Sequence, residues 1–386
     1  MLPRQARRTV GSTGTPRVAL LTYSTRPRGG VVHTLALAEA LADLGTEVSV
    51  WTLSRKGDTG FFRPVDPRVD VHVVPLRDRP EESVGERVSR SIRGLGAAFE
   101  DGYDIVHAQD CISANAVPGA IRTVHHLEQF TTPQLAQCHE RALRTPPAHL
   151  CVSHAVAEQL RAGWGIETTV IPNGVDAERF TAASSLSDPV AAAARHAWRA
   201  RLGRYVLAVG GIEPRKGTRD LIEAMALLAR TDPDARLVIA GGETLFDYRG
   251  YRAEVDELAA HLGVRPTVLG PVAHDELPSL VAAAGAFAFP STNEGFGLAA
   301  MEALAAGVPV VARDLPVTAE VLGNAARLAD GPADLARHLS AALNRRESCR
   351  AARGRALAGS FSWSAAAQAH LAFYAQHAAG SMRSSA

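Results

Sequence analysis

Short apolar runs of four to seven residues alternate along this chain with longer stretches in which apolar positions recur every three or four residues. The first run, residues 17–23 (Arg-Val-Ala-Leu-Leu-Thr-Tyr), predicts a strand. A glycine-containing loop ending at Gly29-Gly30 follows. A helical pattern then covers about 32–44 and is closed by Gly45, and a second strand fits 47–53. Strand, glycine loop, helix, strand is a βαβ unit and implies a parallel sheet. Further strands fit 69–74, 103–108, 120–125, 148–152 and 168–171. The rhythm breaks between about 177 and 204, where Ala-Ala-Ser-Ser-Leu-Ser-Asp-Pro leads into an Arg/Ala-rich helical stretch, and a linker is expected there. Beyond it the alternation restarts. Strands fit 205–210, 236–240, 267–270, 286–290, 308–312 and 326–329, and helices fit 217–230, 251–262, 275–284, 296–306, 317–322 and 332–358.

The pattern predicts an α/β protein with two Rossmann-like, doubly wound domains, each with its ligand crevice at the carboxyl ends of the strands. The expected divisions are a disordered tail at 1–16, an N-terminal domain at 17–180, a linker at 181–204 and a C-terminal domain at 205–360. A last segment, 361–380, follows.

Composition narrows the classes of function. A net charge of +1 gives no reason to expect nucleic acid as a partner. Cys111, Cys138, Cys151 and Cys349 form no Cys-x-x-Cys pair, so they read as reduced thiols in a cytoplasmic protein and not as a zinc site or disulfide framework. Arg4, Arg7 and Arg8 precede a polar, glycine-rich stretch without the apolar segment of a signal peptide. Residues 356–382 carry no Asp, Glu, Lys or Arg, yet no apolar run of roughly 18 residues occurs, so no membrane span is expected and peripheral contact stays open. Lysine is scarce: Lys56 and Lys216 are the two in the chain, which draws attention to each.

The densest chemistry lies at 286–314. A buried strand ends at Pro290, a loop holds Glu294, and Gly295-Phe296-Gly297 opens a helix whose first N–H groups form an anion site. Glu302 is the only charged residue between 295 and 312. It either faces water or takes polar partners such as ligand hydroxyls, because a carboxylate in an apolar helix is costly alone. Upstream, Arg215-Lys216 sits between a strand end and a helix start, either as a solvated turn or as a cation pair for phosphate. His107, His125 and His126 fall at strand ends, where one cleft could gather them. Asp232-Pro233-Asp234 has the form of a metal-binding triplet, but it lies between a helix and a strand at the opposite end of the sheet and reads as a turn. No acidic cluster suggests a metal site.

The Glu294-x7-Glu302 spacing, embedded in Pro-Ser…Glu-Gly-Phe-Gly…Glu-Ala…Ala-Gly-Val-Pro-Val-Val, resembles the motif of retaining glycosyltransferases of family 4, which have the GT-B fold. The resemblance runs from Gly29-Gly30 to Trp363. It implies two Rossmann-like domains facing across a cleft, with a C-terminal helix from about 361 crossing back to the N-terminal domain. It further implies sugar transfer with retention from a nucleotide-diphosphate sugar, uridine or guanosine based, to an acceptor the sequence does not identify. No metal and no separate cofactor are implied. By the same resemblance Glu302 meets ribose hydroxyls and Glu294 lies beside the donor sugar. Backbone N–H groups near Phe296, Gly297 and Leu298 meet the sugar or diphosphate, and Lys216, with Arg215, holds the diphosphate. Gly29 and Gly30 abut the donor, and His125 is the active-site histidine, with His126 and His107 as weaker candidates. The chain departs from the family at Gly211, where an arginine usually stands. Two other readings share the architecture: a sugar-nucleotide epimerase or hydrolase, and a non-catalytic nucleotide-sugar-binding subunit.

Overall fold

The structure, a computed structural model, describes residues 16–383 apart from 55, 56, 78, 80, 129, 131, 243–247 and 346. The tail expected at 1–16 therefore lies almost wholly outside the described residues.

The first half runs β1 (Arg17–Leu21), α1 (Gly29–Asp43), β2 (Glu47–Leu53), β3 (Val69–Val74), α2 (Val84–Ala98), β4 (Ile105–Ala108), α3 (Cys111–Ala116), β5 (Ile121–Val124), α4 (Pro133–Arg144), β6 (His149–Cys151), α5 (His154–Trp164) and β7 (Thr169–Val170). Its strands form a sheet of order β3-β2-β1-β4-β5-β6-β7. Then come α6 (Ala177–Ala183), α7 (Pro189–Leu202), β8 (Tyr205–Val209), α8 (Thr218–Leu228), β9 (Arg236–Ala240), α9 (Arg249–His261), β10 (Thr267–Gly270), α10 (Leu277–Ala283), β11 (Ala286–Phe289), α11 (Leu298–Ala305), β12 (Val310–Arg313), α12 (Pro316–Leu322), β13 (Arg327–Ala329), α13 (Pro332–Asn344), α14 (Ser348–Ser360) and α15 (Trp363–Arg383). The second sheet has the order β10-β9-β8-β11-β12-β13. The strand pairings are parallel, as the βαβ rhythm requires. Among the described residues no helix is long and apolar enough to cross a membrane.

The apolar runs of the inner strands are continuous because the middle of the second sheet is covered on both faces. In β8, Tyr205 and Leu207 enter one core and Val206 the other. In β11, Phe287 and Phe289 face the first core, and Ala286 and Ala288 face the second. With both faces dry, polar side chains collect at the carboxyl ends of the strands. The order reverses between β8 and β11, and this is the switch point where open α/β sheets take ligands.

By compactness the chain forms two units. One holds the described residues up to Thr123, with Thr132–Ala148 and the chain from Ala367 on. The other holds Val124–Thr131 and His149–Ala366. In the first unit, α15 buries Ala367, His370 and Tyr374, a face that could not carry charge cheaply. His107 is fully buried there, with Nδ1 against the Tyr374 hydroxyl and Nε2 against Thr123 Oγ1, each at 2.7 Å. It is a core histidine.

Three expectations change. The stretch read as a linker is helical, as expected, but it is no mere connector: Phe180 on α6, just before it, and Leu202 on α7 enter the core of the second unit. Their Ala/Arg-rich composition had weakened the apolar period. Gly29 and Gly30 are the first residues of α1 and not its preceding loop. The long helix expected at 332–358 is two, α13 and α14, and the break sets Glu347 between Arg327 and Arg350.

Phe180 tests whether the stretch from α6 onward is part of the second unit's core and not a connector. Phe180→Ala should destabilise the second unit by about 3–5 kcal/mol, the cost of emptying a buried aromatic site. Denaturant unfolding read by tryptophan fluorescence measures it. A linker residue would change stability by no more than about 0.5 kcal/mol.

Candidate functional site

The site is built on the two loops that leave β8 and β11 in the second unit. After β8 the chain makes a single 3-10 turn, Pro214–Lys216, and enters α8 through Gly217. Gly217 has φ +63°, and a Cβ on it would stand 2.1 Å from the Pro290 carbonyl oxygen, so only glycine permits this approach. The Thr292 N–H donates to the Arg215 carbonyl at 2.8 Å, tying the two loops together. The second loop is also fixed on its other side. A Cβ on Gly295 would overlap the His125 carbonyl oxygen at 1.5 Å, and the Asn293 amide donates to the Leu127 carbonyl. The segment leaving β5 is thereby packed on the loop that carries Glu294.

These contacts bring charged side chains together. Lys216 Nζ is ion-paired with Glu294 Oε1 and stands 5.5 Å from the Phe289 ring centroid. Arg215 Nη1 lies 3.5 Å from the same Glu294 oxygen. Arg215 Nε lies 3.3 Å from Glu213 and 3.5 Å from Glu128, and Glu128 also holds His126 Nε2 at 2.7 Å. Burial disfavours the charge on Glu294, but Lys216 and Arg215, with the Lys216 hydrogen bond, outweigh it and hold its carboxyl at about 2. Burial lowers the Lys216 pKa, and Glu294 partly offsets this.

Glu302 has the opposite fate. It lies one turn into α11, half-buried between Met301 and Ala303, which are fully buried. Burial pushes its carboxyl up to about 8. Arg179 pulls the other way, and Asp176 adds to the rise. At neutral pH it is mostly a neutral acid, able to donate as well as accept a hydrogen bond. The helix that carries it is preceded by Gly297 at the N-cap position (φ +95°), so it has no side-chain cap. The first N–H groups of any helix have no partner within the helix, and here Leu298 supplies the first of them. The Phe296 side chain is buried edge-on against Phe361, so its outward contribution is backbone.

Of the residues singled out in the sequence, Arg215, Lys216, Glu294 and His126 are brought together, and the His125 backbone joins them through Gly295. Glu302 stands apart beside Arg179 and Asp176. Gly29 and Gly30 belong to the first unit, as does His107 in its core. Asp232 accepts from Ser340 Oγ at 2.6 Å and Asn344 Nδ2 at 2.7 Å, so the Asp-x-Asp triplet anchors α13. Glu128 and Glu213 escaped sequence reasoning. Glu213 stands in a Glu-Pro-Arg-Lys run, and an acid two and three residues before two cations was its available signal; the structure shows it buried. Glu128 has none, because its tie to Arg215 exists only in the fold.

Comparison with known proteins follows the same lines. Residues 198–357 match the family described as glycosyl transferases group 1, and residues 27–179 match glycosyltransferase family 4. A D-inositol 3-phosphate glycosyltransferase of Xylanimonas cellulosilytica is 31% identical over 94% of this chain and 97% of its own. A phosphatidyl-myo-inositol mannosyltransferase of Mycolicibacterium smegmatis is 30% identical over 83% of this chain and 82% of its own. Among solved structures, a sucrose-phosphate synthase from Thermosynechococcus elongatus shares the fold, with a TM-score of 0.74 at 23% identity over 95% of this chain and 100% of that one.

The raised carboxyl of Glu302 sets a pH test. The unfolded chain ionises near the ordinary value of about 4.3, and the folded one near 8. Between these the folded state binds more protons, so stability falls as pH rises. Glu302→Gln should therefore gain stability over wild type between about pH 5 and 8, by up to about 4–5 kcal/mol at the upper end. Urea midpoints across that range check it, and a pH-independent difference contradicts the assignment.

Proposed function

The chain belongs to the group 1 (family 4) glycosyltransferases of GT-B fold, and from that premise we propose that it transfers a sugar, with retention and without a metal ion, from a nucleotide-diphosphate donor to a hydroxyl acceptor. The observation that carries this reading is the Arg215–Lys216 cation pair at the β8/β11 switch point, beside the uncapped start of α11. In the proposed reaction the glycosidic bond to the diphosphate breaks, and negative charge grows on the leaving phosphate. Lys216 and Arg215 neutralise that charge, and the first N–H groups of α11 add to it. Two fixed cations give the site its own counter-charge, which supports chemistry without a metal.

Glu302 takes ribose hydroxyls in this reading. A carboxyl poised near 8 suits that task, because it need not carry an uncompensated charge in an apolar helix before the nucleotide arrives. Arg215 serves as the second cation in place of the arginine that Gly211 lacks, since it reaches the same Glu294 oxygen as Lys216. His125, at the exit of β5, is assigned to the reacting sugar. Glu294 is assigned to sugar hydroxyls and the charge of the transition state. The acceptor to try first is a phosphorylated inositol, the acceptor in the name of the Xylanimonas relative.

Incubation with uridine- and guanosine-diphosphate sugars and candidate acceptors, with the product anomer read by NMR, should give acceptor-dependent transfer with retention that survives chelator. Hydrolysis or epimerisation without acceptor would overturn the transferase reading, and activity restored only by magnesium or manganese would overturn metal independence. Lys216→Ala should weaken nucleoside-diphosphate binding by about tenfold or more and leave nucleoside binding nearly unchanged. His125→Ala should lower kcat with little change in donor affinity. Calorimetry and steady-state rates separate the two effects.

A further inference from the structure

Three carboxylates surround the two cations assigned to the diphosphate, and they are not equivalent. Glu213 and Glu128 lie on the Nε edge of Arg215, at 3.3 and 3.5 Å, and Glu128 is further engaged by His126. Glu294 reaches both cations with one oxygen: it is ion-paired with Lys216 and 3.5 Å from Arg215 Nη1. The pair is sheltered, with side-chain exposures of 18% for Lys216 and 11% for Glu294, so the charges are weakly screened. Oxygens of a diphosphate and of a carboxylate compete for the same N–H donors. A diphosphate seated on Lys216 and Arg215 also sets its charge against a carboxylate in contact with them.

We propose that Glu294 is an internal counter-anion that competes with the donor diphosphate for Lys216 and Arg215, and that diphosphate binding releases its carboxylate to accept hydroxyls of the donor sugar. The inference rests on the glycosyltransferase reading above and concerns how that site distinguishes donor from product. The depressed carboxyl of Glu294 agrees with it, since the group is ionised throughout the working range and is always available as the competitor.

The exchange has a direction. A free nucleoside diphosphate must break the Lys216–Glu294 pair and leaves Glu294 without a replacement partner. The full donor breaks the same pair but supplies sugar hydroxyls in return. The site therefore favours the donor over the spent nucleotide by an amount that the diphosphate contacts alone would not provide. Once the sugar has moved to the acceptor, Glu294 loses its hydroxyl partners and recaptures Lys216, which promotes departure of the nucleoside diphosphate. Glu294 thus acts on specificity and product release as well as on the sugar.

The test uses the full chain and Glu294→Gln, which keeps the shape and removes the charge. Dissociation constants for uridine and guanosine diphosphate, and for the corresponding nucleotide sugars, are measured by calorimetry. The expected result is free nucleoside diphosphate bound at least about tenfold tighter by Glu294→Gln than by wild type, with the preference for donor over nucleotide reduced. In a Lys216→Ala background the same substitution should lose most of this gain, because the two side chains act as one unit. If removal of the charge lowers the yield of folded protein, Glu294→Asp draws the carboxylate back from Nζ and should shift affinity in the same direction. The rise in Tm on adding nucleoside diphosphate gives a second readout, larger in the variant than in wild type. Equal or weaker nucleotide binding by folded Glu294→Gln overturns the proposal while leaving the transferase reading intact. Wild-type protein that binds no nucleoside diphosphate overturns the diphosphate reading itself, and this inference with it.

Discussion

A parallel sheet covered on both faces has one place for polar chemistry, and that constraint organises the second unit. β8 and β11 bury their side chains alternately in two apolar cores. A charge within either strand would lose its hydration without a partner. The charges therefore gather where the strands end. The reversal of strand order between β8 and β11 separates the loops leaving those ends and opens the space the charged groups line. The site is a consequence of how the cores are filled.

Two glutamates eight residues apart show how completely environment outweighs residue type. Glu294 sits in a loop with two cations in reach, and their field overcomes its burial. Glu302 sits in a helix whose neighbours are alanine, methionine and leucine, with Arg179 as an incomplete offset, and burial prevails. One stays an anion and the other is mostly a neutral acid near neutrality. That division suits a ligand with a charged middle and hydroxyl-bearing ends.

Much of this was legible in the sequence, for identifiable reasons. Strands such as 236–240 and 286–290 are found, within a residue, where their apolar runs predicted them, because doubly covered strands must be continuously apolar. Glu294, Lys216 and Arg215 were visible because each is a charged residue at the boundary of an apolar run. The parts that were not legible depend on contacts between distant segments. Nothing local says that Glu128 meets Arg215, or that Phe180 fills a core while its Ala- and Arg-rich neighbourhood looks like a connector. His107 looked like a strand-end candidate, and its partner Tyr374 lies far along the chain. The first turn of α1 was misplaced because two glycines in succession resemble a loop even when they begin a helix.

The loops after β8 and β11 are joined by main-chain contacts as well as by their charges. Thr292 donates to the Arg215 carbonyl, and Gly217 lies against Pro290 so closely that no side chain would fit between them. The positions of Lys216, Arg215 and Glu294 are thus set by backbone that has little freedom left to lose. Any rearrangement among them is a matter of side-chain torsions, which relax in picoseconds to nanoseconds, and not of loop motions a thousand times slower. The entropy of arranging these loops was surrendered when the chain folded, so a ligand that displaces Glu294 has only side chains left to reorder and loses little of its contact energy to ordering the backbone.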